Sequence, residues 1–425
     1  MTSKFISKLA LKATILFVAF LQCSCEDFLH PVTSTDTPSE YQYNYWLLQR
    51  QYLFEDELDR LEPEGDSAKT LYEKLDDPFT RYVPPSKSEA TSITLNTSIV
   101  QGDVGMEYYL INTEHPLFIY RVYPDGPAGR ANVPRYGNII DVNGVDVRSY
   151  NVYDSVLTHS KDVKITVVHN SDTLLFDLTK EDIYAPTVFL DTLAGIEFIA
   201  IKSFKPNTAD KERGTYGELK KLLDSIKDHK TPRVLDLRGN PGGHVDQCVS
   251  MADLFIKSGN ISTRTWRSLQ PDGSSKKVTR TTTATPGDPG EDSPFVLLVN
   301  KTSASCADIF TAAVAEAADA PVIGEPSYGK GIGQSTWNTL AGGLAIITNL
   351  EFLTPKGNSY HKKGIIPDYA CDDGVSAQCA IDVVLKIYGN VNQESLKKSS
   401  AKIYNEPVIL DRAVPAFGGA ILQGN

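Results

Sequence analysis

The sequence is poor in the residues that hold metals. Its 6 cysteines form no Cys-x-x-Cys pair and its 7 histidines stand in no cluster with them, so nothing in the chain calls for a metal or another cofactor. Long apolar runs are equally scarce. Beyond the first 25 residues no stretch is apolar enough to span a bilayer. There is no basic excess either. The 42 lysines and arginines face 53 aspartates and glutamates, a formal net charge of −11, which argues against a nucleic-acid partner that would need a basic face. No internal repeat is visible.

What is present begins at the N-terminus. MTSKFISKLALKATILFVAFLQCSC places Lys4, Lys8 and Lys12 ahead of an apolar run from Ala13 to Leu21. That is the layout of a secretory signal over residues 1–25, too short to remain as a membrane span. Ser24-Cys25 closing the run resembles a bacterial lipoprotein signal, in which the cysteine becomes the lipidated first residue; Gln22 departs from that pattern. Two readings stand: Cys25 is the site of a lipid anchor, or the signal is plain and its cysteine incidental. On the lipoprotein reading the chain is exported and held at an outer membrane, on its periplasmic or cell-surface side. Cys23 would leave with the signal. Cys371 and Cys379 are close enough for a local disulfide in an exported chain, and the sequence leaves their pairing open.

A length of 425 residues predicts two or three domains in an α/β multidomain chain. Residues 26–40, rich in Thr, Ser, Pro and Asp, read as a tether. Residues 41–90 carry apolar positions at helical spacing (Trp46, Leu47, Leu48, Tyr52, Leu53, Leu58) until the prolines of DPFTRYVPP, residues 77–85, break the helix. Residues 91–182 form a β-rich domain. PLFIYRVY, NIIDVNGVDV, DVKITVVH and TLLFDLT read as strands between turns, with one short helix near Val152 to Thr158. Residues 183–390 alternate strand and helix patterns, which argues an α/β layered domain. Within them the polar stretch 259–292 is a hairpin or a mobile loop. The tail, residues 391–425, is uninformative.

Three segments of the layered domain carry chemistry-bearing residues. VLDLRGNPGGHVD (234–246) is a strand, a glycine turn and a helix. LLVNKTSASCAD (297–308) is a strand, a turn of small residues and a helix. GEPSYGKGIGQS (324–335) holds one lysine between two glycines. Each has an ordinary reading when taken alone: Asn-Pro-Gly-Gly as a turn, Ser303 or Ser305 as a helix cap, Gly-Lys-Gly as a surface turn.

Together and in order, they resemble the core of the C-terminal processing peptidases, serine proteases with a Ser–Lys dyad. The resemblance covers about residues 41–375, including Asp-Pro-Phe-Thr-Arg-Tyr and Gly364-Ile365-Ile366-Pro367-Asp368. It implies Ser305, not Ser303, as nucleophile, with Asp308 three residues on. It implies Lys330 as general base, Gln334 as the residue that orients the lysine amine, and the backbone N–H groups of Gly243 and Cys306 as oxyanion donors. Physical chemistry agrees, because serine needs a neighbouring base and a lysine serves as one only in a desolvated site. Cysteine at 306, where alanine is usual, is a departure; Cys306 as nucleophile lacks a placed histidine. His244 reads as a helix-start residue. The resemblance also implies that the β-rich domain is PDZ-like and adds an extended peptide to a sheet edge. Val104, Gly105 and Met106 are the candidate peptide-binding loop, although the usual Gly-hydrophobic-Gly is only half present. The implied function is a serine endopeptidase acting on exported proteins or peptides, near their C-termini. The alternative is a PDZ-containing peptide-binding scaffold with a latent site.

Overall fold

A computed structural model describes residues 37–110, 117–147, 160–229, 231–270, 272, 274–372, 374, 376–389 and 414–415. The signal with Cys25, most of the tether, the short helix expected near Val152 to Thr158 and most of the tail lie outside the described residues.

The centre is a six-stranded sheet whose spatial order follows the chain: Val188–Leu193, Ile196–Ile201, Arg233–Asp236, Phe295–Val299, Val322–Gly324 and Tyr369–Ala370. The first pair is an antiparallel hairpin and every later pairing is parallel. Parallel strands need crossovers, and the helices Gly214–Ser225, Val245–Asp253 and Cys306–Ala317 lie within them. Strand Phe295–Val299 is an unbroken apolar run because both of its faces are buried. Phe295, Leu297 and Val299 pack with Leu219, Met251 and Phe310 from those helices. Val296 and Leu298 face the other way, onto Ala377, Ala380 and Val384 of helix Ser376–Tyr388.

A second sheet lies beside the first. Leu344–Leu353 pairs with Arg81–Val83, Ile332–Asn338 and Asn260–Leu269, and the last pairs with Ser275–Thr283. The polar stretch 259–292 is thus a hairpin. The N-terminal helix Glu40–Gln51 starts at a capping box. Ser39 Oγ accepts from the Gln42 N–H (3.1 Å), and Gln42 Oε1 accepts from the Ser39 N–H (3.0 Å). Its Leu47 and Leu48 pack on Ala345 and Ile347 of the second sheet.

The helical pattern over 41–86 is less continuous than its spacing suggests. After Glu40–Gln51 come a 3-10 turn at Glu55–Arg60 and a one-turn helix at Ala68–Tyr72. The prolines do end that pattern, but Arg81–Val83 is a strand, held by Leu344–Ile346, and Pro85 begins a further helix, Pro85–Asn96. Local spacing carries no sign of a partner so distant in sequence.

Residues 99–184 are β-rich, as expected. Met106–Leu110, Leu117–Val122, Asn138–Val142, Asp162–His169 and Asp172–Thr179 pair antiparallel in turn. Ile99–Asp103 and Glu181–Tyr184 form a separate two-stranded ribbon. The strands Ile99–Asp103 and Met106–Leu110 were not among those foreseen.

Candidate active site

The three motifs follow the C-terminal ends of three adjacent parallel strands: Arg233–Asp236, Phe295–Val299 and Val322–Gly324. In open α/β sheets this edge is where loops converge on a ligand. One buried asparagine ties two of the loops together. Asn240 Nδ2 donates to the Ile201 carbonyl (2.8 Å), its Oδ1 accepts from the Gly242 N–H (2.8 Å), and its carbonyl accepts from the Ala304 N–H (2.9 Å).

Ser305 stands at the start of helix Cys306–Ala317 with φ 57° and ψ −112°. Positive φ is costly for a side-chain-bearing residue, and such strain persists only where the surroundings impose it. Asp308 is part of that imposition. Its Oδ2 accepts from the Ser305 N–H (2.7 Å) and from the Lys330 N–H (2.9 Å), while Oδ1 accepts from the Gly329 N–H (3.1 Å) and the Ser327 hydroxyl (2.5 Å). One buried carboxylate therefore holds the main chains of Ser305 and Lys330 together. Burial raises the Asp308 pKa, and these four hydrogen bonds offset only part of the rise.

Lys330 points its amine at Gln334, donating to Oε1 at 2.7 Å. The Gln334 amide donates in turn to Thr348 Oγ1 (2.9 Å), whose backbone N–H donates to Thr80 Oγ1 (2.9 Å), and Thr80 donates to Asp77 (2.6 Å). Lys330 Nζ also lies 4.1 Å from the centroid of the Phe79 ring. Desolvation by burial lowers the Lys330 pKa to about 8. Arg81 pushes the same way, and the charges of Asp77 and Asp308 oppose it. Phe79 and Asp77 are the contributions the sequence reading missed. The Asp-Pro-Phe-Thr-Arg-Tyr match was visible, but nothing in it says that its ring covers the lysine.

Ser303 has a different task. It is fully buried, donates to the Leu237 carbonyl (2.8 Å) and accepts from the Asn300 N–H (3.0 Å), so it braces the turn from behind. The Gly242-Gly243 turn presses on Ser305 and Cys306. A Cβ on Gly242 would come within 3.0 Å of Cys306 N, and one on Gly243, at φ 150°, would meet the Phe204 carbonyl oxygen at 2.0 Å. The neighbouring amides are taken: His244 N–H donates to the Phe204 carbonyl and Gly242 N–H to Asn240. Among the described residues no acceptor meets the N–H of Gly243 or Cys306. Cys306 follows Ser305 directly, and Gly242, the neighbour of Gly243, packs against both.

Cys306 is joined to Cys248 by a disulfide, with a Cα–Cα distance of 5.6 Å. The bond consumes the thiol and removes Cys306 as a nucleophile. Cys371 and Cys379 form the second disulfide. His244 precedes helix Val245–Asp253, its pKa lowered by burial and then by Lys205. No group of His, Cys, Asp or Glu among the described residues could hold a metal ion, and no described helix is long and apolar enough to cross a membrane.

Val104, Gly105 and Met106 belong to the β-rich region and join neither Ser305 nor Lys330. Val104 and Met106 pack in its core. The Gly105 amide bonds the Asp103 carboxylate, whose pKa burial raises to about 7 against the neighbouring backbone amides and the Lys180 charge. The Gly105 contact is 2.5 Å.

Residues 195–371 match the model of Peptidase family S41. The carboxy-terminal processing protease CtpA of Bacillus subtilis (strain 168) is 29% identical over 317 residues, 71% of this chain and 64% of that protein. A CtpA-like serine protease of Staphylococcus haemolyticus (strain JCSC1435) is 30% identical over 304 residues, 70% of this chain and 58% of that protein. The chain thus spans about three fifths of the length of these relatives. The solved structure of a photosystem II D1 C-terminal processing protease superposes with a TM-score of 0.50 at 21% identity, covering 85% of this chain and 100% of that one, which shows a shared fold.

Proposed function

We propose, from the match of residues 195–371 to peptidase family S41, that the chain is a serine endopeptidase of that family working by a Ser305–Lys330 dyad. Ser305 Oγ attacks the scissile carbonyl carbon and its proton passes to Lys330 Nζ. The oxyanion takes the N–H groups of Gly243 and Cys306. Collapse breaks the C–N bond, and the leaving amine receives the proton from Lys330. Water, deprotonated by the same lysine, then hydrolyses the acyl-enzyme. Gln334 and the Phe79 ring hold the amine in place.

One observation carries this reading. A lysine with its pKa lowered to about 8 has its backbone tied through Asp308 to the backbone of a serine in a strained helix-start conformation. Ser305→Ala and Lys330→Ala should each lower kcat/KM on an unfolded protein substrate by at least about 10³-fold while the fold persists. Ser303→Ala should cleave with near-normal kcat and a lower melting temperature. A dead Ser303 variant beside an active Ser305 variant would move the nucleophile.

The substrates follow by analogy with the processing proteases: exported proteins or peptides cut near their C-termini. The β-rich residues 91–182 are assigned a PDZ-like, peptide-binding role beside a core of residues 183–390. Cys25, with its apolar run, is assigned as a lipid anchor on sequence pattern. Labelled palmitate should enter the wild type and not Cys25→Ala; incorporation that survives the change excludes Cys25.

A further inference from the structure

Strand Met106–Leu110 pairs with Leu117–Val122 on one side and carries a piece of its own chain on the other. Val414 lies opposite Tyr108 and Pro415 opposite Glu107, antiparallel. A proline suits an outermost strand, since it has no N–H to give to a further neighbour. Ten residues follow Pro415 in the sequence, so the segment on this edge is internal and brings no terminal carboxylate.

At the head of the same strand the backbone turns through Gly105, φ 79°. The Gly105 N–H donates there to the Asp103 carboxylate (2.5 Å). Main-chain amides at the head of such a strand are the device by which strand-adding domains capture a chain terminus. Here the anion is the side chain of Asp103, itself only 2% exposed. A terminal carboxylate brought to this place would compete with Asp103 for the same donor and add a second negative charge beside it.

We propose that the edge of Met106–Leu110 is a strand-addition site for internal extended polypeptide segments, occupied in cis by the chain's own residues 414–415 and closed to terminal carboxylates by Asp103. The proposal rests on reading the β-rich region as a peptide-binding domain. Strand addition draws its affinity from main-chain hydrogen bonds, which an internal segment supplies as well as a terminus does. A tethered occupant acts at an effective concentration on the order of millimolar. A substrate segment therefore enters the edge by displacing the chain's own strand.

The test uses the full chain with Ser305→Ala, so that peptide is not cut. The probe is a labelled synthetic peptide of residues 408–418, VILDRAVPAFG, in C-amidated and free-acid forms. Ending the chain after residue 402 should tighten binding of both forms by roughly tenfold or more, with the two forms equal within about twofold. In the truncated chain, Asp103→Gly should favour the free-acid form by about tenfold. Asp103→Asn, which keeps an acceptor for the Gly105 amide, should leave the forms equal and controls for loss of fold. Unchanged affinity on truncation removes the cis occupant. A preference for the free acid with Asp103 intact shows that Asp103 does not close the site. Either result overturns the proposal and leaves the domain reading standing. A folded truncated chain that binds neither form overturns both.

Discussion

Lys330 is held in a state that suits proton transfer and costs stability. Its pKa of about 8 follows chiefly from burial, which leaves roughly a tenth of the molecules with a neutral amine at pH 7. Cleavage should rise with pH through an apparent pKa near 8 and then level. Lys330→Arg should fold and stay inactive, because a guanidinium keeps its proton. The same shift predicts a stability effect of definite sign. The folded pKa lies below the unfolded value, so between about 8 and about 10.4 the unfolded chain binds more protons and stability rises with pH. Below that window the full penalty applies, at most about 3 kcal/mol at ~1.4 kcal/mol per unit. Lys330→Met should therefore be more stable than wild type in urea melts at pH 7, the gap closing towards pH 10. A less stable methionine variant would mean that the amine's bonds outweigh its desolvation. That Ser305, Lys330 and Gln334 lie near one another was legible because they stand in motifs close along the chain. The ring of Phe79 over the amine was not, since Phe79 comes from the turn before Arg81–Val83, far earlier in the chain, and reaches Lys330 only because that strand pairs with Leu344–Ile346.

Two elements meet at the Gly242-Gly243 turn. Helix Val245–Asp253 follows Gly243 and helix Cys306–Ala317 follows Ser305, and the Cys248–Cys306 disulfide joins them. The sequence reading left both cysteines unpaired, because their partners sit in successive crossovers of the sheet, 58 residues apart. Spacing on a helix tells which face a residue occupies, not which neighbouring helix it meets. A loop of that length stabilises by up to about 4 kcal/mol in the chain-entropy account. Cys248→Ala should lower the urea midpoint by a shift of up to that size. It should leave kcat/KM within about threefold, because the donors proposed at Gly243 and Cys306 are main chain and the helices remain packed through Met251 and Phe310. An unchanged midpoint in oxidising buffer, with a free thiol at Cys306 by mass spectrometry, would show that the bond does not form. The same limit on local reading hid Arg81–Val83. Its prolines announced an interruption, but its strand pairing is set by Leu344–Ile346.

At the scale of the molecule, the alternation of strands and helices made the layered core legible, and turn signals made the β-rich region legible. Their junction was not legible, because it is built from residues that each look like ordinary members of their own strand. Phe118 and Tyr120 of the β-rich sheet pack in one cluster with Phe198, Val234 and Leu298 of the central sheet. Beside them Arg121, 3% exposed, donates to Glu107 (2.9 Å) on its own sheet and to Asp191 (2.7 Å) on the central one. Arg135 reaches Asp191 as well. Burial alone would raise the Asp191 pKa, and the two guanidinium groups outweigh it and hold the carboxyl below its usual value. Removing Arg121 leaves Glu107 buried without its cation and Asp191 with one cation fewer, a loss of about 3–5 kcal/mol for a broken buried pair. The sequence supplies a reporter for whether that loss is shared. All 3 tryptophans, Trp46, Trp266 and Trp337, lie outside residues 99–184. Arg121→Met should therefore lower the urea midpoint read by tryptophan fluorescence, although the substitution is in a sheet that holds no tryptophan. If the two sheets unfolded independently, fluorescence would keep its wild-type midpoint while circular dichroism lost its β-rich signal early.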